Sequence, residues 1–133
     1  MRILKLNKAL KKLFPAVEIE LGFKNPLELL VAVQLSAQCT DKMVNKITEK
    51  LFRKYKKLGD YIKASVSRRT VAEFEQDIKS SGFYRNKTKN ILGAVKMIEK
   101  EFGGKVPKTI VEILRLPGVA RKTANVVLGN AYG

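Results

Sequence analysis

Apolar residues recur along this chain at the spacing of α-helices, and no stretch alternates long enough to predict a sheet. Residues 1–20 are predicted to form an N-terminal arm whose helix begins near Arg2 and ends before Pro15. The apolar stripe of that helix consists of Leu6, Leu10, Leu13 and Phe14. Residues 27–35 are apolar on almost every face, which indicates a buried central helix.

Helix-capping residues divide the rest of the chain. Asn25 followed by Pro26 predicts the start of the central helix, and Thr40 or Asp41 caps the next one. Residues 59–60, Gly-Asp, are expected to form a connector. Every element predicted in this way is helical.

Two further helix starts are predicted at residues 70–73 and 109–112, which have the residue spacing of a capping box. They predict a helix over about residues 71–79 and another that leads into the C-terminal turn. A longer helix is predicted from roughly residue 85 to 102, where two glycines end it. The pattern therefore predicts an all-α fold of six or seven helices.

A tight turn at Pro117 and Gly118 joins two of these helical segments. Gly118 is the position that most needs a positive φ, which a residue with a Cβ adopts only at a steric cost. The helix that follows begins with free backbone N–H groups, which suit a phosphate. Lys122 falls in or near its first turn, where the helix dipole opposes a cation and favours the neutral, nucleophilic amine.

The charge balance is strongly basic, with 27 Lys and Arg against 12 Asp and Glu and a net charge of +15. The excess is spread along the whole chain, so it indicates either a solvated, lysine-rich surface or a polyanionic partner. No apolar run is long enough for a membrane span, and no signal peptide opens the chain. The single cysteine, Cys39, fits a reducing compartment, and we expect an intracellular protein of the cytoplasm or nucleoid.

Histidine is absent. With one cysteine, this excludes the usual zinc arrangements and any histidine-dependent serine or cysteine nucleophile within the chain, so no metal site is predicted. Lysine remains the best candidate for covalent chemistry.

Residues 116–125 (LPGVARKTAN) resemble the helix-hairpin-helix of the endonuclease III family of DNA glycosylases. Residues 35–41 (LSAQCTD) and 82–87 (GFYRNK) resemble two other stretches of that family in the same order. The resemblance implies a six-helix barrel over residues 21–133, with the hairpin motif at about 110–131. Ala120 stands where many members have a second glycine, which requires a negative φ there.

The family resemblance implies base excision repair. A damaged base, an oxidised pyrimidine, is excised from duplex DNA, and the abasic strand is then cleaved by β-elimination through a lysine Schiff base. Lys122 matches the Schiff-base lysine, and the alternative is an ordinary solvated lysine. The partner implied is double-stranded DNA with a damaged or abasic site, and a non-catalytic DNA-binding hairpin module remains the alternative function.

Gln38 matches the residue that enters the vacated base stack, and Phe83 lies at the position of an apolar wedge. Locally satisfied polar and core aromatic roles are the alternatives. Six further groups are predicted to contact phosphates, with solvated helix faces as the alternative for the charged ones. They are the side chains of Arg85, Lys87, Lys89 and Arg121 and the backbone N–H groups of Gly118 and Ala120.

Family members often carry a [4Fe-4S] cluster on four cysteines downstream of the hairpin, and an aspartate shortly after the hairpin helix. This sequence contains neither, so no cofactor is predicted for it. We expect the N-terminal and barrel portion of a longer enzyme, impaired in catalysis. The arm helix would then lack its usual partner and can associate with a second copy.

Overall fold

The computed structural model describes residues 21–132. The predicted arm helix, its self-association and the first domain boundary lie outside these residues. Within them, the regular elements are seven α-helices and one 3-10 turn, with no strand, so the all-α prediction is confirmed. The helices are α1 (Pro26–Leu35), α2 (Asp41–Lys54), α3 (Leu58–Ala64), α4 (Arg68–Asp77), α5 (Tyr84–Glu101), α6 (Ile110–Ile113) and α7 (Arg121–Ala131), and the 3-10 turn is Lys79–Ser81.

Three of the predicted helix starts are confirmed by side-chain caps. Asn25 Oδ1 accepts a hydrogen bond of 2.9 Å from Glu28 N, and Pro26 occupies the first turn of α1. Thr40 Oγ1 accepts from Met43 N at 3.2 Å and begins α2. Thr109 caps α6 in the same way, and α6 is a single turn.

The start of α4 was predicted wrongly. Ser67 is the cap: its hydroxyl accepts from Thr70 N at 3.2 Å, and its own N–H donates to Thr70 Oγ1 at 3.1 Å. Thr70 is therefore the third helical residue and returns the second bond of the capping box. The helix begins at Arg68 because the side chain of Ser67 accepts from the N–H group of Thr70 and the side chain of Thr70 accepts from the N–H group of Ser67.

Residues 59–60 form part of a helix, contrary to the predicted connector. Asp60 Oδ2 accepts hydrogen bonds from Lys56 N at 2.9 Å and from Lys57 N at 3.0 Å. These bonds satisfy N–H groups at the start of α3. The negative charge of the Asp60 carboxylate is also stabilised by the positive N-terminal end of the helix dipole. Tyr61 then packs into the core with 1% of its surface exposed.

Helix α1 is the buried centre of the fold, as predicted. Leu30 packs with residues of α5, α6 and α7, whereas Val31 and Leu35 pack in a second cluster with residues of α2 to α5. The helix contacts α2, α5 and α7 directly. It therefore connects the C-terminal hairpin to the rest of the molecule.

Within residues 21–132, no helix combines the length and the apolar character that crossing a lipid bilayer requires.

Candidate functional site

The turn between α6 and α7 has the backbone conformation that the sequence predicted. Gly118 has a φ of 77°, and Ala120 has a φ of −88° and is the N-cap residue of α7. Arg121 and Lys122 are the first two residues of α7, and both side chains are exposed. The first turn of α7 therefore combines helix N-terminal backbone N–H groups with two exposed cations.

Close contacts with α1 and α5 hold this hairpin in place. Gln34 Nε2 of α1 donates a hydrogen bond of 2.9 Å to Pro117 O. A Cβ added at Gly118 would lie 2.7 Å from the Cβ of Asn90, and one added at Gly93 would lie 3.2 Å from Pro117 Cγ. Glycine at these two positions allows the turn and α5 to approach each other.

Two other turns next to the hairpin have unusual backbones. Gln38 and Phe83 have φ values of 52° and 45° and are the only non-glycine residues with positive φ in the described part of the chain. Such conformations are costly and cluster at functional sites. Phe83 is 65% exposed, which excludes the core aromatic interpretation, and Gln38 is exposed as well.

Gln38, Phe83 and Gly118 line one cleft of about 260 Å³. The three stretches singled out from the sequence therefore meet at one place. The other residues that line the cleft are Gln34, Ala37, Asn86, Lys87 and Asn90. Lys122 does not line the cleft but lies on the exposed first turn of α7, four residues after Gly118.

Lys87 is a correction to the predicted phosphate contacts. Its side chain is 6% exposed, and Nζ donates hydrogen bonds of 2.8 Å to both Leu35 O and Ser81 O. Burial lowers the pKa of the Lys87 amine below its ordinary value, and the neighbouring Cys39 works in the opposite direction. With two of its three donors used inside the protein, this ammonium is not on the exposed helix face that the predicted phosphate contact assumed.

The other predicted cations are on the surface of the protein. Arg85 and Lys89 are exposed on α5, and Arg121 and Lys122 are exposed on α7. Arg85 Cζ lies 5.3 Å from the centre of the Tyr84 ring. None of the four cations forms an ion pair with an acidic residue among residues 21–132. Their charge is thus open to a polyanion.

Sequence analysis missed the amides in the wall of the cleft. Gln34 is 7% exposed, and its Oε1 is buried without a hydrogen-bond partner in the described structure. Asn86 and Asn90 add two more amides. Gln34 had one visible signal, because it is an uncharged polar residue on an otherwise apolar face of α1.

The described residues offer little for a metal. No group of three or more His, Cys, Asp or Glu side chains within residues 21–132 is placed to hold one. Cys39 is the single cysteine of the sequence, so this chain does not supply the four thiolates of an iron–sulfur cluster.

Comparison with known proteins agrees with this geometry. Residues 31–128 match the HhH-GPD superfamily of base excision DNA repair proteins. Endonuclease III of Bacillus subtilis (strain 168) is 53% identical over 121 residues, which are 91% of this chain and 53% of the relative. Endonuclease III of Escherichia coli (strain K12) is 40% identical over 119 residues, which are 90% of this chain and 54% of the relative.

Solved structures are similar as well. A trapped covalent intermediate of endonuclease III with DNA, an estranged-adenine complex, superposes with a TM-score of 0.82 at 48% identity and covers 96% of this chain and 57% of that one. A non-covalent endonuclease III–DNA complex gives the same values. This chain spans about half the length of the curated relatives it matches. The superfamily match covers most of the chain, and the chain belongs to the HhH-GPD superfamily of base excision DNA repair proteins.

Proposed function

We propose that this chain is the DNA-binding, lysine-bearing part of a base excision enzyme that removes a damaged base and cleaves the strand at the abasic site. The observation that carries the proposal is the meeting of Gln38, Phe83 and Gly118 in one cleft, with the exposed Lys122 four residues after Gly118. The class of base, an oxidised pyrimidine, rests on the resemblance to endonuclease III.

The cleft suits an enzyme that works on an extruded nucleotide. A base in a duplex cannot be attacked at its glycosidic bond until it leaves the stack, and the gap must be filled. Gln38 can donate and accept hydrogen bonds toward an orphaned base, and the exposed ring of Phe83 can stack between base steps. Both side chains border the same cleft, so one bound duplex can meet both.

The exposed cations and the hairpin suit the DNA backbone. Arg85, Lys89 and Arg121 are accessible and lack acidic partners within residues 21–132. The N–H groups of Gly118 and Ala120 lie at the turn that precedes α7, where a phosphate is favoured by the helix dipole. These contacts would fix the register of the duplex without reading its sequence.

Lys122 is the proposed nucleophile. Its neutral amine attacks C1′ of the deoxyribose, the base leaves with the electrons of the glycosidic bond and takes up a proton, and the sugar ring opens to an imine. Loss of a C2′ proton then expels the 3′ phosphate by β-elimination and nicks the strand. Water finally hydrolyses the imine and frees the lysine.

Removing the base is the harder step for this chain. Residues 123–133 contain no carboxylate, so none of them is the aspartate that the family resemblance implies. An existing abasic site has already lost its base and needs chiefly an amine to form the imine. We therefore expect weak lyase activity and impaired glycosylase activity.

Borohydride trapping on a duplex with one abasic site tests the proposal. The chain should form a covalent adduct, Lys122→Ala should form none, and Lys96→Ala, which removes an exposed lysine of α5, should keep the adduct. An undiminished adduct with Lys122→Ala would assign the chemistry to another amine. Salt-dependent duplex binding with no adduct at all would instead support the non-catalytic hairpin module.

A further inference from the structure

Lys87 connects the two turns that carry Gln38 and Phe83. Its Nζ donates 2.8 Å hydrogen bonds to Leu35 O at the end of α1 and to Ser81 O at the end of the 3-10 turn. Leu35 precedes Gln38 by three residues, and Ser81 precedes Phe83 by two. One ammonium in the wall of the cleft therefore joins the two chain segments that lead into these turns.

The two acceptors are backbone carbonyl oxygens, for which an ammonium is a favourable hydrogen-bond donor. A carbonyl in the last turn of a helix has no N–H partner further along that helix, and it lies at the negative end of the helix dipole. Bonds from a charged donor are stronger than neutral ones. Lys87 therefore binds both chain segments more firmly than a neutral side chain would.

Stability alone does not account for this arrangement. Lys87 has no acidic partner within ion-pair distance among residues 21–132, and its burial lowers the pKa of its amine. A buried charge without a counter-ion is costly, and its two hydrogen bonds to backbone carbonyls offset that cost without neutralising the charge. The positive φ values of Gln38 and Phe83 add strain that the surrounding structure must hold in place.

We propose that Lys87 is a positioning residue, whose ammonium clamps the Gln38 turn to the Phe83 turn and keeps the two side chains at a fixed separation across the cleft. The role of this separation in DNA rests on the function proposed above. Two side chains that enter one duplex must match the spacing of its base steps, so a loose pair would insert less often.

Distance measurement without DNA tests the clamp by itself. Nitroxide labels at Gln38→Cys and Phe83→Cys, in a Cys39→Ser background, should give a narrow distance distribution by double electron-electron resonance. Lys87→Met should broaden it, and Lys96→Met, which removes an exposed charge from the same helix, should not. Equal widths in the two variants would overturn the proposal.

A measurement on the unaltered chain covers the case in which Lys87→Met fails to fold. A buried, hydrogen-bonded ammonium exchanges its protons slowly, so the Lys87 amine should give a signal in proton–nitrogen correlation spectra at neutral pH where exposed lysines are broadened. A Lys87 ammonium that exchanges as fast as the exposed ones would overturn the clamp.

The consequence for DNA is tested with 2-aminopurine placed opposite an abasic site. Insertion of Gln38 and Phe83 should unstack this base and raise its fluorescence. Lys87→Met should lose most of that rise. Its affinity for undamaged duplex should stay within about twofold of the affinity of Lys96→Met, because both variants lose one charge. Lys87→Arg, which keeps the charge and the donors, should recover part of the rise.

The controls separate the two proposals. Equal loss of fluorescence and of duplex affinity in Lys87→Met, with no recovery in Lys87→Arg, would indicate a merely structural lysine and overturn the clamp. No fluorescence rise with the unaltered chain would overturn base insertion by Gln38 and Phe83, and the label distances would still decide whether the clamp exists.

Discussion

Gly118 shows how one residue can place the whole hairpin. Its φ of 77° favours glycine, and the Cβ of any other residue would lie 2.7 Å from the Cβ of Asn90. The carbonyl oxygen of its neighbour Pro117 accepts a hydrogen bond from the side chain of Gln34 in α1. The positive φ and the close contact with Asn90 thus both favour glycine at position 118.

We therefore predict that Gly118→Ala destabilises the protein. Alanine in the left-handed region costs about 1–3 kcal/mol, and the contact with Asn90 adds to this loss. Chemical denaturation should show the lower free energy of unfolding. DNA binding, measured well below the unfolding midpoint, should weaken too, because the turn that carries the N–H groups must shift.

Gly129→Ala is the matched control, since Gly129 lies within α7 and a Cβ there meets nothing within 4 Å. It should stabilise the helix by about 0.5–1 kcal/mol. Equal stability of the Gly118→Ala variant and the unaltered chain would mean that the turn relaxes freely.

The sequence indicated the exposed candidate residues of the cleft better than the buried ones. Gln38, Phe83 and Gly118 belong to short local motifs, and the structure brings them to one cleft. Lys87 was misjudged because its partner Leu35 is 52 residues away, and no local pattern reveals such a bond. Gln34 was missed for the same reason, since its acceptor on Pro117 is 83 residues away.

At the scale of elements, α3 depends on a single carboxylate at its start. Asp60 accepts from the N–H groups of Lys56 and Lys57, and these bonds lower the pKa of its carboxyl below the ordinary 3.8. A folded-state pKa below that of the unfolded chain stabilises the protein above the unfolded pKa. This contribution is lost as the pH falls through the folded value.

We predict that Asp60→Asn lowers the unfolding temperature at pH 7 and that the difference from the unaltered chain shrinks as the pH falls through the lowered folded-state pKa of Asp60, below which Asp60 itself is protonated. Thermal unfolding followed by circular dichroism at several pH values checks this. Glu99→Gln removes one negative charge from an exposed site within α5 and serves as the control. A pH-independent difference for Asp60→Asn would show that its charge does not matter at the start of α3.

Helix starts were predictable where the candidate cap was a single residue, as at Asn25, or one of two neighbours, as at Thr40 and Asp41. Asn25 and Thr40 begin α1 and α2 as expected. Ser67 and Thr70 are both good caps three residues apart, and the capping-box spacing at residues 70–73 favoured the wrong one. Gly59 suggested a break, but the carboxylate of Asp60 and the burial of Tyr61 outweigh its low helix propensity.

At the scale of the whole molecule, the net charge of +15 is the largest single feature. Such an excess attracts any polyanion, so it favours DNA without selecting a damaged site. Under the proposed function, selection comes from the cleft, where Gln38 and Phe83 meet the turn at Gly118. Affinity and specificity are then assigned to different residues and can be separated by experiment.

The salt dependence of binding separates exposed from buried charge. Lys89 and Lys87 lie two residues apart on α5, the first exposed and the second 6% exposed with its ammonium bonded inside the protein. Lys89→Met should reduce the slope of log affinity against log salt for undamaged duplex by about 1, because one fewer phosphate counterion is released. Lys87→Met should leave the slope unchanged. Fluorescence anisotropy titrations over a range of salt concentrations measure both, and an equal reduction in the two variants would place the Lys87 ammonium on the DNA instead of on Leu35 and Ser81.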